Sequence, residues 1–297
     1  MGKKRFFFQF LGFLALPSSM LFGLENLNIL RDFKEDLHRE FLLSRRQMID
    51  DLIEALDEEI SYYAALSETA DWRHQLANLQ KSQPEMSFGR LRQEGALSNL
   101  AIAGAKGHIE KIDLILKKSK RRENHPFFDQ ADYYYEYQMF GRIQEKKIPI
   151  TTVLYLDHDN YKKERYLNQV LDDWVTVKRY DNLPEKPKFY YYVIHTEPEY
   201  LEEINDHLNT IWDKVLYEKN WEDKISLIAQ FHWWFSNAMP FERGSAAIGE
   251  VLTEALLKGT GHKWEKKKHL LIDIEALLEP CMEEFVRKYP TYYDKFV

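Results

Sequence analysis

A single cysteine, Cys281, stands among the 297 residues, which excludes an intramolecular disulfide and any cysteine-based zinc centre. Excess positive charge is missing too. The chain has 41 Lys and Arg against 48 Asp and Glu, a formal charge of -7, so nucleic acid is excluded as a partner for want of a basic face. Two short basic clusters, at 117–122 and 263–268, read as solvated helix ends or loops. No apolar run reaches the ~18 residues of a permanent membrane helix, and no internal repeat or low-complexity segment is visible. Gly-rich phosphate loops, nucleophile elbows and zinc signatures are likewise missing. Asp157-His158-Asp159 has the letters of a metal cluster. It follows a strand in a charged loop with no helical histidine pair beside it, so no metal is expected.

What is present suffices for a globular core: 44% hydrophobic and 14% aromatic residues support one large domain or two small ones. The first 23 residues stand apart. Gly2-Lys3-Lys4-Arg5, an apolar run over 6–16, and Pro17-Ser18-Ser19 ahead of Gly23 have the order of a secretory signal; the alternative is an ordinary apolar helix. The Met1-Gly2 start raises myristoylation, but Phe6 stands where that signal needs Ser or Thr.

Periodicity gives the rest. Apolar positions at helical spacing, among them Leu27, Leu30, Phe33, Leu37, Phe41, Met48, Leu52 and Leu56, predict one long helix or two joined ones over 24–66, packed on the domain because strict heptads are absent. Further helices are predicted over 72–79 and 97–118. The β-branched and aromatic runs at 148–156 and 188–194 predict strands, with a helix over 161–177 between them. Helices are then predicted over 199–216, 222–235, 245–258 and 274–289. The fold class is mainly α (α+β) with a small β-sheet.

The stretch Phe231 to Glu250 holds the strongest chemical signal. An apolar helix with His232, Trp233 and Trp234 meets the break at Pro240, and then Arg243-Gly244-Ser245 opens the helix over 245–258. Such a start offers unpaired first-turn N–H groups, a positive dipole end, a glycine that admits close approach and a guanidinium fork; a phosphate or diphosphate is the natural guest. Ser245 also suits an N-cap, which is compatible with a phosphate contact. Glu250 complements the helix dipole. His232 shares a stripe with Ile225, Ile228 and Phe235, so it reads equally as a buried structural histidine or a site residue. His195 ends a strand before the turn at Glu197-Pro198, and Asp273 precedes a helix, where an Asp is first an N-cap.

His125-Pro126-Phe127-Phe128 is similar to the opening of the Fic-family loop, yet Gly-Asn-Gly-Arg does not follow. A closer resemblance lies downstream. Ile225-Ser226-Leu227-Ile228-Ala229, His232-Trp233-Trp234, Ser236, Ala238-Met239-Pro240 and Arg243-Gly244-Ser245-Ala246-Ala247 resemble the signature of the AvrB-type avirulence effectors that plant-pathogenic bacteria inject into host cells. Tyr200-Leu201, Ile204, Asp206-His207-Leu208-Asn209, Asp273-Ile274-Glu275-Ala276, Glu284-Phe285-Val286 and Lys288-Tyr289 extend it over 195–289. Upstream, Trp72-Arg73, Leu79-Gln80 and Ile148-Pro149 anchor it.

The resemblance implies a bilobal, mostly helical domain over 24–297, distantly similar to Fic/Doc (Fido) proteins, with 130–190 as a smaller lobe and 1–23 as a targeting segment. It implies a secreted glycosyltransferase that takes a nucleotide-deoxysugar, a dTDP- or UDP-rhamnose type donor, and modifies Ser or Thr of a host protein, with no tightly bound cofactor. Arg243, His195 and Asp273 would line the cleft, His195 and Asp273 as the catalytic pair. Arg92 matches the family's cleft arginine, but Gln93 replaces the threonine after it. Arg243, Gly244, Ser245, Arg92, Gln93 and His232 make up the expected ligand-binding set. Two alternatives stay open: a Fido-type nucleotidyl transferase, which lacks its phosphate-binding loop here, and a catalytically silent nucleotide- or peptide-binding effector, which Gln93 favours.

Overall fold

The computed structural model describes residues 24–80, 87–93, 99–103, 115, 117–123, 134–157, 189–268 and 270–296. The segments 1–23, 125–128 and 161–177, on which a signal, a Fic-like run and a helix were expected, lie outside these residues.

Of the two readings of 24–66, one long helix or two joined ones, the structure has the second, and the second helix also takes in the one expected over 72–79. Helix α1 (Leu24–Asp57) and helix α2 (Tyr62–Leu79) are separated where Glu59 takes a positive φ of 59° and Ser61 caps the second by accepting from the Ala64 amide. The expected helix over 97–118 is corrected at its start. Strand β1 (Asn99–Ala103) pairs antiparallel with strand β5 (Phe189–Ile194), so tertiary pairing overrides a weak helical pattern that carries Gly104 and Gly107. Strand β2 (Lys120–Arg122) is an exposed sheet edge, a use of the basic cluster that suits an edge needing charge. Strands β3 (Tyr134–Ile143) and β4 (Lys146–Asp157) complete an antiparallel sheet of order β1-β5-β4-β3-β2.

Five helices follow, the first four being α3 (Leu201–Tyr217), α4 (Trp221–Ala238), α5 (Ser245–Lys258) and α6 (Ile272–Leu277). The single helix expected over 274–289 is divided, because Pro280 cannot continue it; α6 stops at Leu277 and α7 (Met282–Lys288) begins afresh. A two-stranded ribbon, β6 (Trp264–Lys266) with β7 (Tyr293–Phe296), closes the C-terminal end. No helix among the described residues is long and apolar enough to cross a membrane.

Helix α4 is the axis of the core. Asn220 caps its start by accepting from the Asp223 amide, and from Phe231 to Ala238 every residue is buried, the mark of a helix surrounded by other elements rather than one with a solvent face. It packs on α3, α5, α6, α7 and β4. Phe231 meets Tyr62 and Trp212 at ring-centre distances of 5.8 and 5.7 Å, and Trp233 and Trp234 meet edge-to-face at 5.4 Å. The Trp233 indole donates to the Glu279 carbonyl and the Trp212 indole to that of Ile60, while the Trp234 indole nitrogen is buried without a hydrogen-bond partner among the described residues.

The sheet is keyed to α4 through one close approach. A Cβ on Gly141 of β3 would lie 2.1 Å from the Trp234 ring, far inside contact distance, and Trp234 is fully buried with nowhere to retreat. Gly141→Ala should therefore destabilise the fold by about 1–3 kcal/mol through overpacking, read as a lower urea midpoint at unchanged slope; a midpoint equal to that of the parent protein would show that the ring is free to shift.

Candidate functional site: the N-terminus of α5

The turn between α4 and α5 is built from both sides. Met239 takes a left-handed conformation (φ 41°, ψ 65°) and ends α4, while Gly244, at φ 88° and ψ -3°, is the residue that caps α5. Ser245 is therefore not the N-cap. Its hydroxyl accepts from the Phe241 amide and donates to the Phe241 carbonyl, which closes the turn and leaves the first turn of α5 without a side-chain cap and without an acidic residue. Residues 88–92 run alongside: the Gly89 amide donates to the Arg243 carbonyl, that of Arg92 to Pro240, and that of Glu242 to Arg90.

Arg92 is buried, and its guanidinium donates from Nε to the Met239 carbonyl at 2.8 Å and from Nη2 to that of Ala238 at 2.6 Å. The expected ligand contact thus caps the C-terminus of α4, an end that attracts cations. Burial pushes its pKa down to about 10, against the opposing charge of Glu197. Gln93 is exposed. His195 is buried at 5% exposure, and its Nδ1 has no hydrogen-bond partner among the described residues. Burial first, then the positive charge of Arg92, drives its pKa down to about 3, so the imidazole is neutral across the physiological range.

Arg243 is half-buried beside Gly244, with its guanidinium carbon 5.8 Å from the centre of the Phe88 ring; burial lowers its pKa. The sequence reading missed the residue opposite. Arg73, on α2, places its guanidinium carbon 4.1 Å from the centre of the same ring. Only the Trp72-Arg73 resemblance signalled it; its position beside Gly244 comes from tertiary packing.

Asp273 and His232 have other neighbours. Asp273 is a first-turn residue of α6, whose N-cap is Leu271, not the cap expected of it. Its Oδ1 is buried without a hydrogen-bond partner among the described residues, and burial, then the charge of Glu250, raises its pKa to about 6. His232 is held at about 4 by burial, with Glu250 and Lys266 as its charged neighbours. The Tyr293 hydroxyl donates to that of Tyr289, which is hydrogen-bonded in turn to His232 Nδ1 at 3.1 Å. His232, Glu250, Lys266 and Ile272 line a cavity of about 70 Å³. Glu250 lies on α5 about 7.5 Å beyond Ser245 at 1.5 Å per residue. The structure therefore groups Arg243, Gly244, Ser245, Arg92 and His195 around the α4–α5 turn, and Asp273 with His232 farther along α5. Among the described residues no cluster of three or more His, Cys, Asp or Glu is arranged to hold a metal.

This arrangement sits within a known family. The sequence model described as avirulence protein, that of AvrB and AvrC, matches residues 59–296. The chain belongs to that family. Avirulence protein B of Pseudomonas savastanoi pv. glycinea is 39% identical to it over 102 residues, which is 34% of this chain and 32% of that protein. The match thus spans about a third of the relative's length. The family match takes in α2, the sheet and every helix that carries a residue of the site, Arg73 included.

Burial of two neutral histidines gives a pH dependence of definite sign. Between their ordinary 6.5 and the folded values of about 3 and 4, the unfolded chain binds protons that the folded chain refuses, so stability falls as pH falls. Asp273, raised from 3.8 to about 6, acts the other way, its share being lost as pH rises through 6. The urea midpoint should drop between pH 7 and pH 4, and drop less in His195→Gln; identical pH profiles for the two proteins would mean that His195 ionises freely in the fold.

Proposed function

We propose that this protein is an effector delivered into host cells that acts there as a glycosyltransferase, moving a deoxysugar of the rhamnose type from a dTDP- or UDP-sugar to a Ser or Thr of a host protein. The observation that carries this reading is the uncapped, acid-free first turn of α5 with Arg243 and the positive-φ Gly244 at its mouth, a site for the diphosphate of such a donor. Membership of the avirulence family supplies the host context.

In the proposed reaction the acceptor hydroxyl oxygen bonds to the anomeric carbon of the sugar while the bond from that carbon to the diphosphate oxygen breaks. The electron pair leaves with the diphosphate. Its charge is met by Arg243 and the N–H groups of α5, donors already fixed before the bond breaks. The acceptor proton passes to His195. At about 3 the imidazole is a weak base, but a bound anion beside Arg92 offsets the charge that lowers it and brings it toward the range useful for proton transfer. Asp273 orients a hydroxyl of the sugar or ribose.

Calorimetry with a nucleotide-sugar should show Arg243→Ala losing about 1.5–3 kcal/mol of binding, roughly 10- to 150-fold in affinity, with an unchanged circular dichroism spectrum; equal affinity removes the phosphate role. His195→Ala should slow transfer by about 10²- to 10⁴-fold while affinity changes little, and a parallel loss of both would make His195 a ligand contact instead. Intact-mass analysis of an acceptor protein then separates the classes. A deoxysugar increment supports the transferase, a nucleotide increment indicates the Fido-type reaction, and no increment leaves a binding effector.

A further inference from the structure

We infer that Arg73, which the sequence reading did not place in the site, is a phosphate ligand at the N-terminus of α5 and that the group it takes is a diphosphate. The inference rests on the anion-binding part of the reading above and not on any sugar or acceptor.

Arg73 is 6% exposed, and its Nε and Nη1 are both buried with no hydrogen-bond partner among the described residues. Burial alone depresses its pKa, to about 10; no carboxylate opposes the shift. Buried charges in folded proteins are paired almost without exception, since the desolvation is otherwise uncompensated. The other guanidiniums near the core follow that rule: Arg92 donates to the end of α4, and Arg45 pairs with Glu254 and Glu250. Arg73 alone of these three has its acceptors missing.

Its surroundings state where the acceptors belong. The Arg73 side chain lies against the cap of α5, so that a Cβ on Gly244 would meet Arg73 Cγ at 2.8 Å and Nε at 3.5 Å. Gly244 is thus required twice, for its positive φ and for the passage of Arg73. The guanidinium carbon lies over Phe88 at 4.1 Å from the ring centre, with the Phe41 ring centre at 5.9 Å. A contact with a ring face leaves the buried Nε and Nη1 protons for an acceptor of another kind. Phe88 is itself fixed, since its carbonyl bonds His74 Nδ1 and its backbone bridges to Arg243.

Arg73 and Arg243 reach the same ring, and with the helix end they sum to about +2.5 charges. No acidic residue occupies the first turn. Two forks and a row of N–H groups match the two adjacent anionic phosphates of a diphosphate better than a single carboxylate, which one fork would satisfy.

Inorganic pyrophosphate is the probe, with the full chain and no sugar present. Pyrophosphate should bind the parent protein in calorimetry and raise its Tm. Arg73→Met keeps the apolar stem against Phe88 and removes the unpaired charge, so without ligand it should melt at the same temperature or higher, while its affinity for pyrophosphate falls about tenfold or more. Arg73→Lys keeps the charge but loses the fork, and should also bind about tenfold more weakly. Comparable pyrophosphate affinity in the parent and in either folded variant overturns the assignment, as does a parent protein that binds none. Loss of pyrophosphate binding in the variants, together with no sugar transfer to any acceptor by the parent protein, upholds the role of Arg73 and removes the glycosyltransferase.

Discussion

Two backbone carbonyls at the end of α4, those of Ala238 and Met239, accept from the Arg92 guanidinium, and the local structure around the α4–α5 turn follows from this contact. It closes a helix end whose carbonyls would otherwise be buried without donors. It also tethers residues 88–92 beside the turn, which fixes Phe88, the ring that both Arg73 and Arg243 approach. The same charge depresses His195. A single capping interaction thereby positions the aromatic platform and adds to the burial that keeps the histidine neutral, and it does so from a residue that the family resemblance assigns to the ligand. Arg92 still has its charge to offer a bound anion, but its geometry is committed to the helix.

The legible parts of the chain were those where local signals agree. The helix over 245–258 was read with its boundaries because the Gly-Ser start and the apolar periodicity coincide, and the strands around Ile150 and Tyr191 followed from runs of β-branched and aromatic residues. Strand β3 escaped notice, its Tyr134-Tyr135-Glu136-Tyr137 start giving no clean alternation. β1 was mistaken for helix since its partner, β5, lies far along the chain. Pro280 was legible and was passed over. At the candidate site, the meeting of Arg243, the positive-φ Gly244 and the start of α5 was readable, because glycine, arginine and helix start are adjacent in sequence. Arg73 was not, since what marks it is a missing partner, a property that exists only once α2 lies against the turn. Nor does spacing reveal that Asp273 keeps company with Glu250 and Lys266 and not with Arg92.

Burial acts on His195, His232, Asp273, Arg73 and Arg92 in the same sense, toward the uncharged form: histidines down, the aspartate up, the arginines down. The folded chain thus carries electrostatic cost in a region where a small polar residue would be easier to accommodate. Sites that bind charged ligands are expected to hold such strain, with stability surrendered in the empty state and regained on occupancy. The cost falls on Arg73 of α2, Arg92 beside the α4–α5 turn, His195 after β5, His232 of α4 and Asp273 of α6, whereas Trp212, Trp233 and Phe231 are buried in apolar packing.

Gly141 and Trp234 have a consequence for how such a chain drifts over time. The indole occupies the space in which any other residue at 141 would carry its Cβ, so a larger residue on the strand is accommodated without strain only once the helix carries a smaller one, and that helix change, arriving first, leaves a cavity of its own. The pair therefore sets an order in which substitutions at this contact cost least, a constraint that exposed positions such as Leu79 and Tyr217 do not carry.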